Sequence, residues 1–238
     1  MNVENRVALT NDDRKFWRPR PEVLNWLEAT IPSHAKVLDI GPGTAPFHRA
    51  DMFVDWTKPS DVPENKFCAV DIHREQLPFE DKTFDFAYCR HVLEDLYDPF
   101  RICSEMWRVA RAGYIETPSP LAEVCRGIDG GAPPWRGYHH HRYLIWSYCG
   151  VLHFLTKYPI IEFVGFDNEA AIPGRLRDNA RYWNTHFLWQ DKFEVRYFQH
   201  EVDYRITENY AAMVTKAIDE HLEATDEFSK LIATAQSI

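Results

Sequence analysis

No apolar run in this chain is long enough to cross a bilayer. The longest extends from Tyr143 to Leu155, is interrupted by Ser147 and His153, and falls short of the about 20 residues a spanning helix needs. The first residues, Met1-Asn2-Val3-Glu4-Asn5, hold no apolar signal core, so a cytoplasmic location without a membrane span is expected. Positive charge is in deficit. Lys and Arg number 27 against 36 Asp and Glu, a formal net charge of −9. No nucleic-acid partner is therefore expected, because phosphate binding needs a basic face. Cysteine is sparse and odd in number: Cys68, Cys89, Cys103, Cys125 and Cys149, with no C-x-x-C pair. That pattern points to reduced thiols rather than disulfides or zinc. Internal repeats and low-complexity segments are missing as well.

Hydrophobic residues make up 45% of the 238, enough for a sizeable core and incompatible with wholesale disorder. The most informative segment is Val37-Leu38-Asp39-Ile40-Gly41-Pro42-Gly43-Thr44. An apolar run ends on an acid and enters a turn with two glycines, as where a buried parallel strand meets a loop around a nucleotide-like ligand. The dinucleotide fingerprint G-x-G-x-x-G lacks its third glycine, since Pro46 stands there, which weakens a nicotinamide reading.

Further strands are read at Met52–Asp55, Phe67–Ile72, Phe84–Cys89 and Gly113–Thr117. Pro21–Ala29 reads as a helix, and a second helix opens at Asp98-Pro99, with Asp98 as N-cap and Pro99 at the first position. Apolar strands with short crossovers predict an α/β fold around a Rossmann-like, mostly parallel sheet. The link from Trp56 to Lys66, with Pro59 and Pro63, is too short and broken for a crossover helix, so a loop is expected there. After residue 118 come a loop-rich, aromatic-rich insertion, a late antiparallel strand sought at Glu194–Gln199, and a closing amphipathic helix over Tyr210–Leu222.

Three acids end successive strands: Asp39, Asp55 and Asp71. Ligands of an open parallel sheet bind at those ends. A carboxylate after the second strand accepts both hydroxyls of a ribose, and one after the third meets an exocyclic amine.

These segments resemble class I S-adenosylmethionine-dependent methyltransferases of the type 11 branch. Besides the glycine turn, Asp71-Ile72 through Leu77-Pro78-Phe79-Glu80-Asp81-Lys82-Thr83-Phe84-Asp85 is similar to their D…LPF-x-D-x-x-FD block. His91-Val92-Leu93-Glu94-Asp95 with Asp98-Pro99 is similar to HVLEH-x-x-DP, and Glu105–Val109 to E-x-x-RV. The resemblance covers roughly residues 20–120. It implies S-adenosyl-L-methionine as cofactor. Gly41 and Gly43 would then line its methionine part, and Asp39 would anchor the amino group through the loop. Asp55 would take the ribose, with Trp56 against the adenine. Asp71 and Ile72 would flank the base, and Arg90 and His91 would sit beside the methionine moiety. Asp95 replaces the second histidine of HVLEH, so that position offers no imidazole. On this basis residues 1–238 are expected to form one methyltransferase domain: an arm (1–20), a cofactor-binding core (21–120), a substrate-side insertion (118–190) and a closing strand and helix (191–238).

Methyl transfer to a hydroxyl needs a proton acceptor near the ends of the fourth and fifth strands. The candidates are Glu116, which ends the fifth strand, and one histidine of His139-His140-His141. Glu116 reads equally as a carboxylate bonded to loop amides, and the histidines as backbone caps. At most two of these imidazoles can meet one point, so a metal would need another ligand such as His153 or Glu116, and none is assigned. Trp135, Tyr138 and Arg142 are candidate substrate contacts. The expectation is O-methylation of a small-molecule or saccharide hydroxyl, with a homodimer considered as the assembly. The alternatives are a cofactor-binding module without methyl transfer and a nicotinamide-dependent oxidoreductase.

Overall fold

The computed structural model describes residues 18–129, 135–198 and 206–235. Residues 1–17 of the expected N-terminal arm fall outside them. The main sheet holds β1 (Val37–Ile40), β2 (Met52–Asp55), β3 (Phe67–Ala69), β4 (Phe84–Arg90), β5 (Ala110–Pro118) and β8 (Asn184–Gln190), in the order β3-β2-β1-β4-β5-β8. Every pairing is parallel except β5 with β8. The chain leaves β1 toward β2 and β3, then returns to place β4 on the other side of β1. The crevice at that switch point is where an open α/β sheet binds its ligand.

Of the apolar runs, β1 is completely buried and β2 and β4 largely so, whereas β3, at the edge of the sheet, has no buried residue. The expected antiparallel strand is present, but it is β8. Glu194–Tyr197 (β9) instead pairs parallel with β7 (Val151–Thr156), which pairs antiparallel with β6 (Tyr143–Tyr148) in a separate three-stranded sheet. β3 is shorter than expected, because the backbone turns at Asp71, where the Arg74 and Glu75 amides donate to the Asp71 carbonyl.

One face of the main sheet is covered by α1 (Pro21–Thr30) and the end of α5 (Ile206–Ala235), with Trp26, Leu27 and Ile232 against Val37, Phe53, Tyr88 and Tyr114. The other face is covered by α2 (Pro99–Val109) and the second sheet, with Ile102, Met106, Ile145 and Phe154 against Leu38, Ile40 and Ile115. Each such side chain contributes about 1.5–3 kcal/mol by leaving water. Asp98 caps α2 as expected, its side chain accepting from the Arg101 amide at 3.1 Å. The closing helix is longer than the apolar spacing indicated. It also packs Tyr210 and Val214 into a second core with Leu121, Trp146 and Trp183, beside α3 (Pro120–Val124) and α4 (Ile172–Asp178).

The link 56–66 is a loop with a single 3-10 turn, Glu64–Lys66. Residues 41–51 and 70–83 hold only turns and bends. Helical crossovers are thus absent along β1–β3, and the carboxyl ends of these strands are framed by loops.

Candidate active site

The first loop is latched by Asp39. Its carboxylate is buried and accepts the Phe47 amide at 2.8 Å, drawing residues 41–47 back over the strand. Burial, eased by that amide, pushes its pKa up to about 7, and Asp55 nearby adds to the effect. Gly41 and Gly43 both have positive φ, +68° and +49°. A Cβ at Gly41 would lie 2.3 Å from Val92 Cγ2, whereas one at Gly43 would meet nothing within 4 Å. Gly41 therefore packs against the loop that follows β4, and Gly43 faces open space.

Asp55 ends β2, and its Oδ1 accepts the Trp56 amide at 2.6 Å. The Trp56 ring is 70% exposed. Asp71 stands beyond β3, Oδ1 accepting the His73 amide at 3.0 Å. The set Gly41, Gly43, Asp55, Trp56 and Asp71 thus lines the loops at the ends of β1, β2 and β3. Ile72 departs from the expectation. Its side chain lies in the core with Val70 and Leu77, so it is structural rather than a free surface for a base.

Glu116 is not a free base. It is 1% exposed and accepts Arg90 Nε at 2.8 Å, Asn184 Nδ2 at 2.9 Å and the Tyr114 hydroxyl at 2.6 Å. Three donors on one buried carboxylate satisfy its oxygens and fix it in place. Tyr114 has one hydroxyl proton and gives it to Glu116, so His186 Nδ1, 2.6 Å away, is the donor in that pair. Glu116 thereby holds Arg90 across the end of β4. His91 follows at φ +53° with its amide on the Glu116 carbonyl at 2.8 Å, and its Nε2 meets Asn184 Oδ1 at 3.2 Å. Burial, with Arg90 beside it, lowers the His91 pKa to about 3, so the ring is neutral.

The three histidines separate. His139 is half exposed and paired with Asp129 at 3.0 Å, apart from the other two. His140 and His141 turn their Nε2 atoms toward Asp95 Oδ1, at 3.7 Å and 3.8 Å. His141 is buried. Its Nδ1 lies 2.5 Å from Glu123 Oε1, while Lys157 Nζ reaches Glu123 Oε2 at 2.6 Å. Burial alone would raise the Glu123 carboxyl, but Lys157 and His141 bring it down to about 2. A Cβ at Gly137 would fall 2.5 Å from Glu123 Oε2, so this glycine lets the chain pass the carboxylate.

Glu94, in the loop after β4, is 1% exposed, and neither carboxylate oxygen has a hydrogen-bond partner among the described residues. Burial pushes its pKa up to about 8 despite the attraction of His141. Glu94, Asp95 and Glu123 were missed in the sequence. The first two were read only as parts of a motif, and Glu123 is brought to His141 only by the fold. The substrate candidates also shift. Tyr138 is buried with its ring 4.4 Å from that of His141. Arg142 stacks on Tyr97 at 3.6 Å, and its Nε donates to the Asp95 carbonyl. Both support the cluster, and Trp135 alone of the three is exposed, beside His139.

Residues 38–115 match a family model described as a methyltransferase domain. Over that segment, about a third of its length, the chain is similar to methyltransferase domains of the type 11 branch. Among solved structures, the chain is similar to an S-adenosylmethionine-dependent methyltransferase from Mesorhizobium loti, with 19% identity, 41% of this chain and 53% of that one covered, and a TM-score of 0.34. A possible histamine N-methyltransferase from Thermotoga maritima gives 21%, 40%, 48% and 0.30, and the YcgJ protein from Bacillus subtilis 18%, 45%, 59% and 0.35. The alignments span about half the length of each of these proteins. No curated protein matches the chain. No helix among the described residues is long and apolar enough to cross a membrane.

Proposed function

We propose that this chain methylates a hydroxyl oxygen of a small molecule or saccharide, using S-adenosylmethionine. The observation that carries this reading is a division of labour across one loop. Residues 91–95 touch the glycine turn on one side, through Val92 against Gly41. On the other they carry Asp95 to the imidazoles of His140 and His141. A methyl donor on the turn and a hydroxyl at the cluster would thus be held by neighbouring parts of one rigid segment.

The residues present fit the cofactor. Open space before Gly43 admits a ligand to the turn, Asp55 is at hand for the ribose hydroxyls, and Trp56 offers an exposed aromatic face. When bound, S-adenosylmethionine supplies a methyl group on a sulfonium sulfur. Transfer forms an oxygen–carbon bond as the carbon–sulfur bond breaks, and the acceptor proton must leave. Glu94 is the group to receive it, a buried carboxylate with both oxygens unpartnered among the described residues. Glu116 and Arg90 position the end of β4, and His139 takes no part.

The test is transfer of labelled methyl from S-adenosylmethionine to a panel of hydroxyl-bearing acceptors. Glu94→Gln should lower turnover at least a hundredfold while leaving cofactor affinity unchanged. Cofactor binding without transfer to any acceptor would favour a binding module instead.

A further inference from the structure

The geometry points to a divalent transition-metal site, with zinc as the first choice, formed by Asp95 Oδ1, His140 Nε2 and His141 Nε2. These three ligand atoms lie within 4.8 Å of one another, and the carboxylate oxygen is 3.7 Å and 3.8 Å from the two imidazole nitrogens. Ligands about 2.0–2.1 Å from a tetrahedral zinc ion stand roughly 3.4 Å apart. The two carboxylate–imidazole pairs therefore need to close by only a few tenths of an ångström around an ion.

Three further features distinguish this cluster from a chance meeting of polar groups. The first is the orientation of His141. Its Nδ1 is engaged by Glu123, which leaves Nε2 facing the centre, the carboxylate–histidine arrangement that orients metal-bound imidazoles. Glu123 is fixed in turn by Lys157, and Lys157 by the Tyr138 carbonyl at 2.7 Å. The second is unmet bonding capacity. Asp95 Oδ1 is buried without a hydrogen-bond donor among the described residues. A buried acceptor without a donor is costly, and a cation at the centre satisfies it. The third is access. The His140 side chain is 60% exposed and that of Asp95 39%, so the site opens on one side while the buried His141 closes the other. Three protein ligands and an open position are what a catalytic zinc site has. Two imidazoles and one carboxylate also suit zinc, iron or manganese better than magnesium or calcium.

The metal's role rests on the function proposed above. An acceptor hydroxyl in the open position would be polarised by the ion and give its proton to Glu94. Metal binding itself is tested without reference to activity.

Untagged full-length chain, freed of metal with a chelator, is titrated with zinc chloride by calorimetry, and with cobalt(II) chloride by visible absorption. One ion per chain is expected, with the intense visible bands of a four-coordinate cobalt(II) centre. His140→Ala, an exposed position that should not affect folding, and Asp95→Asn should each weaken zinc binding at least tenfold and abolish the cobalt bands. His139→Ala should leave both unchanged. No stoichiometric binding overturns the proposal, and so does equal weakening by His139→Ala and His140→Ala, the sign of a loose histidine string. S-adenosylmethionine binding is measured on the same samples. Its retention with no metal bound discards the metal site alone, whereas its loss in metal-free and metal-loaded protein alike discards the functional reading.

Discussion

His141 Nδ1 lies 2.5 Å from Oε1 of Glu123, and the two side chains are 3% and 1% exposed. Glu123→Ala would leave the Lys157 ammonium and the His141 ring buried without their carboxylate. Breaking a buried pair in this way costs about 3–5 kcal/mol, to be read as a lower urea midpoint at unchanged slope. An unchanged midpoint would show that the pairing does not hold this part of the fold together.

Gly41 bears two constraints that an alanine would meet at once. A positive φ costs a residue with a side chain about 1–2 kcal/mol, and the new Cβ would overlap Val92. Gly41→Ala should lower both melting temperature and S-adenosylmethionine affinity. Adding Val92→Ala should recover part of the stability, because it removes the clash but not the backbone strain. Wild-type behaviour of the single variant would refute the described turn.

Asp55→Ala removes the carboxylate assigned to the ribose. The expected loss of S-adenosylmethionine affinity is roughly 1.5–3 kcal/mol, the range for hydrogen bonds to a charged group. Calorimetry reads it directly, and an unaltered dissociation constant would end the assignment.

His221 is buried, its Nε2 3.2 Å from the Tyr182 carbonyl, and burial lowers its pKa to about 3. The unfolded chain titrates this group near 6.5. Between those values the unfolded state holds the extra proton, so the contribution of His221 is complete above 6.5 and is lost as pH falls toward 3. His221→Gln, which keeps a donor for Tyr182, should flatten this acid limb. Below pH 6 wild type should lose stability more steeply than the variant by up to about 1.4 kcal/mol per pH unit. Parallel profiles would contradict this.

Local signals carried the first half of the fold into the sequence. Asp98-Pro99 is a cap and a first-turn proline within two residues, and α2 begins there. The glycine turn needs only its own neighbours to be read. The β6–β7 hairpin was hidden because it is covered on both faces, with Leu144, Ile145 and Trp146 buried in succession, which erases the alternation that marks a strand. Its partner β9 was visible as a strand but not as a member of another sheet, since register is a tertiary property. At the site, residue type misled for Glu116. A carboxylate ending a strand looks catalytic until the donors of β4, β5 and β8 converge on it. Glu94 and Asp95 were hidden by the opposite effect: motif positions explained them before their chemistry was considered. Glu123 stands 18 residues before His141, and only the passage of Gly137 over its carboxylate brings the pair together.

The central claim, a cofactor cleft at the ends of β1, β2 and β4, is tested most directly by calorimetric titration of the full chain with S-adenosylmethionine, with NADH as comparison. The expected result is saturable binding of one S-adenosylmethionine per chain and none of NADH. Absence of S-adenosylmethionine binding, or tighter binding of NADH, would contradict the account.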